Sequence, residues 1–122
     1  MGGERAGRVL GRVLVADDDA NTRQLLSMTL RAAGFEVVTA PDGVRAVRAA
    51  ATTHPDVVVL DVTMPGKNGF DAADEMRASD APPAVLFLTA RHSADHRLAE
   101  AAFLTKPFAL ADLVARVRAL AG

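Results

Sequence analysis

The 122-residue chain contains no cysteine, which excludes disulfides, thiolate catalysis and a cysteine zinc site. This usage fits a reducing compartment. No apolar run approaches the roughly 20 residues needed to cross a bilayer. Met1 to Arg8 also lacks the apolar centre of a signal peptide. Fourteen basic residues against fifteen acidic ones leave a net charge of −1, too little field to draw in nucleic acid or an anionic membrane. No linker-like stretch, low-complexity segment or repeat period divides the chain. These absences predict one cytoplasmic domain over residues 9–122, behind a flexible N-terminal tail of residues 1–8.

Half of the residues are apolar, enough for a full hydrophobic core. Val57-Val58-Val59-Leu60 reads as a short strand buried on both faces. Asp61 follows it directly, and Met64-Pro65-Gly66 turns the chain. Similar apolar runs span Val9 to Ala16, Phe35 to Ala40, Ala84 to Leu88 and Ala102 to Thr105. Between them, helical spacing predicts helices over Ala20 to Ala33, Val44 to Thr53, Phe70 to Ala78 and Leu110 to Leu120. Gly34 is the expected residue just past the first helix. Arg91 to Ala101 is polar and short, with only Leu98 and alanines to form an apolar face. Strict βα alternation predicts an α/β fold, a doubly wound five-stranded parallel sheet of the (βα)5 type with right-handed crossovers.

Parallel strands bring their carboxyl ends to one edge, where open α/β sheets place their chemistry. Here the strands end in Asp17-Asp18, Asp61, Thr89 and Lys106. Asp61 alone would read as a loop cap, but four polar strand ends along one edge do not read as accident. Carboxylates drawn together repel and raise one another's pKa unless a cation joins them. Oxygen ligands suit a hard cation such as Mg²⁺, and no histidine stands at a strand end to favour a transition metal. Lys106 offers a positive charge and Thr89 a hydroxyl. Together these groups make a phosphoryl-transfer site in which Asp61 itself could be the nucleophile.

Asp17-Asp18, Asp61 with Met64-Pro65-Gly66 and Gly69, Thr89-Ala90, and Lys106-Pro107-Phe108 together resemble the receiver domain of two-component response regulators. The resemblance runs from about Arg12 to Leu120 and implies a flavodoxin-like, chemotaxis-regulator-like fold. It implies that Asp61 accepts a phosphoryl group from the phosphohistidine of a sensor histidine kinase or phosphotransfer protein. Asp17, Asp18, Asp61 and the backbone carbonyl of Thr63 would hold Mg²⁺. Thr89 and Lys106 would contact the phosphoryl oxygens, and Phe103 matches the aromatic switch position beside Thr89. Such a domain is a signalling phosphoacceptor that assists its own phosphorylation and dephosphorylation, not an enzyme with a separate substrate. Its signal would pass to a downstream protein or to a C-terminal output domain, and the chain reads as stand-alone or as a fragment of a longer regulator.

One segment departs from that pattern. Thr89 to Lys106 is shorter than the family runs by roughly one helical turn, which predicts a shortened or irregular fourth helix and puts the usual dimer face in doubt. Asp19 is expected to cap the first helix rather than join the acid pair. The Thr63 side chain and Arg91 are expected at the site mouth. His92 and His96 are four apart but lack a third ligand and read as solvated. His54 reads as a helix end, and the four methionines as core or loop residues. A haloacid-dehalogenase-type phosphatase would need a second Asp where Thr63 stands, and an FMN binder would need a hydroxyl-rich loop where Asp17-Asp18-Asp19 stands. A degenerate receiver used only for protein binding is the remaining alternative.

Overall fold

The computed structural model describes residues 10–90 and 101–122. Strands β1 (Arg12–Ala16), β2 (Glu36–Ala40), β3 (Val57–Asp61), β4 (Ala84–Thr89) and β5 (Ala102–Thr105) form one parallel sheet in the order β2-β1-β3-β4-β5. The described helices are α1 (Ala20–Ala32), α2 (Gly43–Thr53), α3 (Gly69–Arg77) and α4 (Leu110–Ala121). The order reverses between β1 and β3, so the chain leaves these neighbours toward opposite faces and opens a crevice at their carboxyl ends.

Alternation along the strands sorts the apolar residues into two layers. Leu14, Val58, Leu60 and Phe87 face α2 and α3 and pack with Ala46, Ala73 and Met76. Val13, Val15, Val57, Val59, Leu86 and Leu88 face α1 and α4 and pack with Leu26, Leu30, Leu113 and Val117. β3 lies at the centre, with Val57 through Leu60 fully buried. Burying each such side chain is worth about 1.5–3 kcal/mol, which fixes the register and with it the position of Asp61 opposite Leu88.

Local signals set the helix ends. Asp19, Asp42 and Asn68 cap α1, α2 and α3 by accepting from the backbone N–H of Thr22, Arg45 and Asp71. After α1, Gly34 takes φ +107° while its N–H donates to Arg31 O and that of Phe35 to Leu30 O. This is the glycine stop expected from the sequence. α2 ends on His54 at φ 50° ahead of Pro55, as expected of a helix end. Met64 and Met76 are buried, as expected of core residues, whereas Met28 is exposed on α1 and is neither core nor loop.

The first strand starts later than its apolar run suggests, at Arg12 rather than Val9. Gly11 takes φ +155° and Leu10 is exposed, its N–H donating to Gly34 O rather than to a strand. Asp61 and Thr89 are the last residues of β3 and β4, so these strands end in the polar residues expected. Val9 and the expected tail lie outside the described residues, as do Arg91, His92, His96 and the expected shortened fourth helix.

Candidate functional site

The acid cluster stands at the carboxyl ends of β1 and β3. Asp17 follows β1 directly and is fully buried, while Asp18 is exposed. Asp17 Oδ1 accepts the N–H of Asp19 at 2.9 Å, which bends the loop into α1 and turns Asp19 outward as its cap. Carboxylate oxygens of Asp17, Asp18 and Asp61 lie within 4.8 Å of one another. Three acids so close, one of them sealed from water, would be strongly repulsive without a cation. Their all-oxygen donor set fits a hard divalent ion such as magnesium.

Lys106 supplies the positive charge that the described ion pairs place on these carboxylates. Its Nζ lies 3.1 Å from Asp17 Oδ2 and 3.6 Å from Asp61 Oδ2. The backbone helps to aim it, since Lys106 N–H donates to Thr89 O at 2.7 Å. Asp61 is 6% exposed, and its Oδ1 accepts the N–H of Thr63 at 3.1 Å. Burial and then the charge of Asp17 push the Asp61 carboxyl above the ordinary range, against the pull of Lys106 and the Thr63 bond. Burial of Lys106 opposes its charge, but the bond to Asp17 and the charges of Asp61 and Asp17 outweigh it and raise its pKa. Asp19 behaves differently: side-chain and backbone bonds from Thr22 lower its pKa, as befits an exposed cap.

Thr89 ends β4 at 7% exposure, one residue beyond the Leu88 that pairs with Asp61. Phe103 pairs with Phe87 across β4 and β5 and packs, half-buried, against the α2–α3 side of the core. Asp17, Asp18, Asp61, Thr89 and Lys106 thus stand at the carboxyl edge of the sheet, while Phe103 lies two places back along β5 from its end at Thr105. Gly69 is explained sterically, since a Cβ there would lie 2.4 Å from the carbonyl oxygen of Asp61. The sequence reading missed Arg23, whose Nη1 donates to Asp17 O at 2.8 Å and ties the acidic loop to α1. The available signal was a basic residue in the early part of a helix, where the dipole favours acids.

Fold and edge together define a doubly wound α/β domain with an acidic, lysine-bridged cleft. The chain belongs to the response regulator receiver domain family, whose model matches residues 13–118. The transcriptional regulatory protein PrrA of Mycobacterium tuberculosis is 48% identical over 114 residues, which are 89% of this chain and 49% of PrrA. The chain spans about half the length of the curated relatives it matches. Among solved structures it is similar to the chemotaxis response regulator CheY4 of Vibrio cholerae, with a TM-score of 0.81 and 33% identity over 89% of this chain and 97% of that one. It is also similar to the receiver domain of the sensor histidine kinase PA1611 from Pseudomonas aeruginosa, with a TM-score of 0.83 and 27% identity over 92% and 98% of the two chains. That structure has a magnesium ion coordinated in its active-site cleft. No helix among the described residues of the present chain is long and apolar enough to cross a membrane.

Proposed function

We propose that Asp61 is the phosphoacceptor of this receiver domain, taking a phosphoryl group from the phosphohistidine of a sensor histidine kinase or phosphotransfer protein. The observation that supports this most is Lys106 Nζ placed between Asp17 Oδ2 and Asp61 Oδ2 beside three converging carboxylates. An Asp61 oxygen attacks phosphorus, the new O–P bond replaces the P–N bond, and the imidazole nitrogen leaves with the electron pair. Asp17, Asp18, Asp61 and the Thr63 carbonyl would hold Mg²⁺, which supplies charge neutralisation for the phosphoryl oxygens. Lys106 adds its own positive charge there, and the buried Asp17 keeps that ammonium aimed.

Phosphorylation turns one carboxylate charge into about −2 with new acceptor oxygens. The resulting 4-aspartylphosphate would draw in Lys106 and the Thr89 hydroxyl and leave space for Phe103. This biases a two-state element by one local charge change. The domain is thus a phosphorelay switch that assists its own phosphorylation and dephosphorylation, spanning residues 9–122 in the cytoplasm. Its output would be a downstream protein or a C-terminal effector domain, as the half-length match to transcriptional regulators suggests.

Incubation with acetyl phosphate and Mg²⁺, followed by intact-mass measurement, tests this reading. One phosphoryl adduct is expected in the wild type and none in Asp61→Asn. A wild type without an adduct would instead favour a degenerate receiver that only binds protein.

A further inference from the structure

Gly43, the first residue of α2, is buried against the loop of residues 62–68 between β3 and α3. A Cβ at Gly43 would lie 2.1 Å from the backbone oxygen of Lys67 and 2.9 Å from its carbonyl carbon. Both are main-chain atoms, so no side-chain rotation makes room for them. The same loop carries Thr63, whose N–H donates to Asp61 Oδ1. It is fixed at its start by Val62 N–H to Leu88 O and closed by Gly69 N–H to Val62 O, each 2.9 Å. Lys67 also pairs with Glu75 of α3 through its side chain. At the far end Gly69 already abuts the Asp61 carbonyl with no space for a Cβ. The loop is thus gripped between two close approaches that only glycine permits. A push at Lys67 has no slack at Gly69 to absorb it and falls on residues 62–66.

We infer that Gly43 is a positioning residue for the phosphoacceptor site. Its missing side chain lets the start of α2 seat the loop so that Thr63 keeps its hydrogen bond to Asp61. The structural contact stands by itself, while its consequence for magnesium rests on the reading given above. Gly43 touches neither Asp61 nor any proposed metal ligand in the described contacts, so it acts through the Lys67 main chain.

The test is Gly43→Ala beside Ala50→Gly, which weakens α2 from a position away from the loop. Two quantities are read: the Thr63 amide proton shift in metal-free protein, and Mg²⁺ affinity by titration. In Gly43→Ala the Thr63 amide is expected to move toward the shift of an unbonded N–H and Mg²⁺ affinity to fall about tenfold. In Ala50→Gly both should match the wild type although its melting temperature drops. A wild-type Thr63 shift in Gly43→Ala overturns the inference, whatever magnesium does. A displaced Thr63 shift in a protein whose wild type binds no Mg²⁺ upholds the seat and defeats the metal reading instead. Should Gly43→Ala fail to fold, Asp42→Ala loosens the same contact by removing the α2 cap at Arg45 N. It is then expected to displace the Thr63 shift in the same direction, and an unchanged shift there overturns the inference.

Discussion

Asp61 carries the sharpest conflict between stability and function. Its carboxyl is held above the ordinary range by burial and by Asp17, so the folded state binds that proton more tightly than the unfolded chain does. Its contribution to stability is therefore fullest below the ordinary carboxylate pKa and is lost as pH rises through the raised folded value. In metal-free protein at neutral pH, Asp61→Asn should stabilise by about 1 kcal/mol, roughly 4 °C in melting temperature. Thermal melts across pH should show that advantage growing from acid toward neutrality; a constant or shrinking gap would contradict the cause assigned to the shift. Lys106→Met has the opposite sign, because it strands the buried Asp17 carboxylate. Removing one partner of a fully buried pair costs about 3–5 kcal/mol, and with Lys106 about a third exposed, about 1–2 kcal/mol is expected in denaturant melts without metal. The third acid of the run should differ from both. Asp19→Ala should lower the melting temperature as a lost cap and leave the phosphoryl adduct in place by mass measurement.

Among the elements, β3 and its neighbours were legible because their signals are local. Four apolar residues before Asp61 can only be buried on both faces, and Gly34 stops α1 by its own backbone freedom. What stayed hidden depends on chain segments far apart in sequence. Val9-Leu10 matches a strand pattern, yet Gly11 turns the backbone and Leu10 bonds to Gly34 instead. Gly43 against Lys67 O is likewise a contact that no spacing rule announces, whereas Arg23 on Asp17 O is a local contact, six residues apart, that the periodicity does not encode. The site acids and Lys106 could be read because a parallel sheet converts strand order into a shared edge. Their mutual distances, and the exposure of Asp18 beside the sealed Asp17, could not. The helices depend on the same packing. Leu30 of α1 is fully buried in the core layer where α1 packs on β1 and β2. Leu30→Ala should therefore lower unfolding free energy by about 2–5 kcal/mol in denaturant titration, while the adduct still forms on the folded fraction.

For the whole molecule, the acid cleft is a cost that the two-layer core must offset. A divalent cation that binds the folded cleft and not the unfolded chain shifts stability by mass action. Mg²⁺ at about 100 times its dissociation constant should add about 2.7 kcal/mol, with a smaller gain in Asp61→Asn. The central claim is that one defined carboxylate, Asp61, receives the phosphoryl group. It is tested most directly by treating the protein with acetyl phosphate and Mg²⁺, reducing the acyl phosphate with borohydride, and mapping the product by peptide mass spectrometry. The account predicts homoserine at position 61 and unmodified Asp17, Asp18 and Asp19; reduction at any of those three in place of Asp61, or at none of the four, would contradict it.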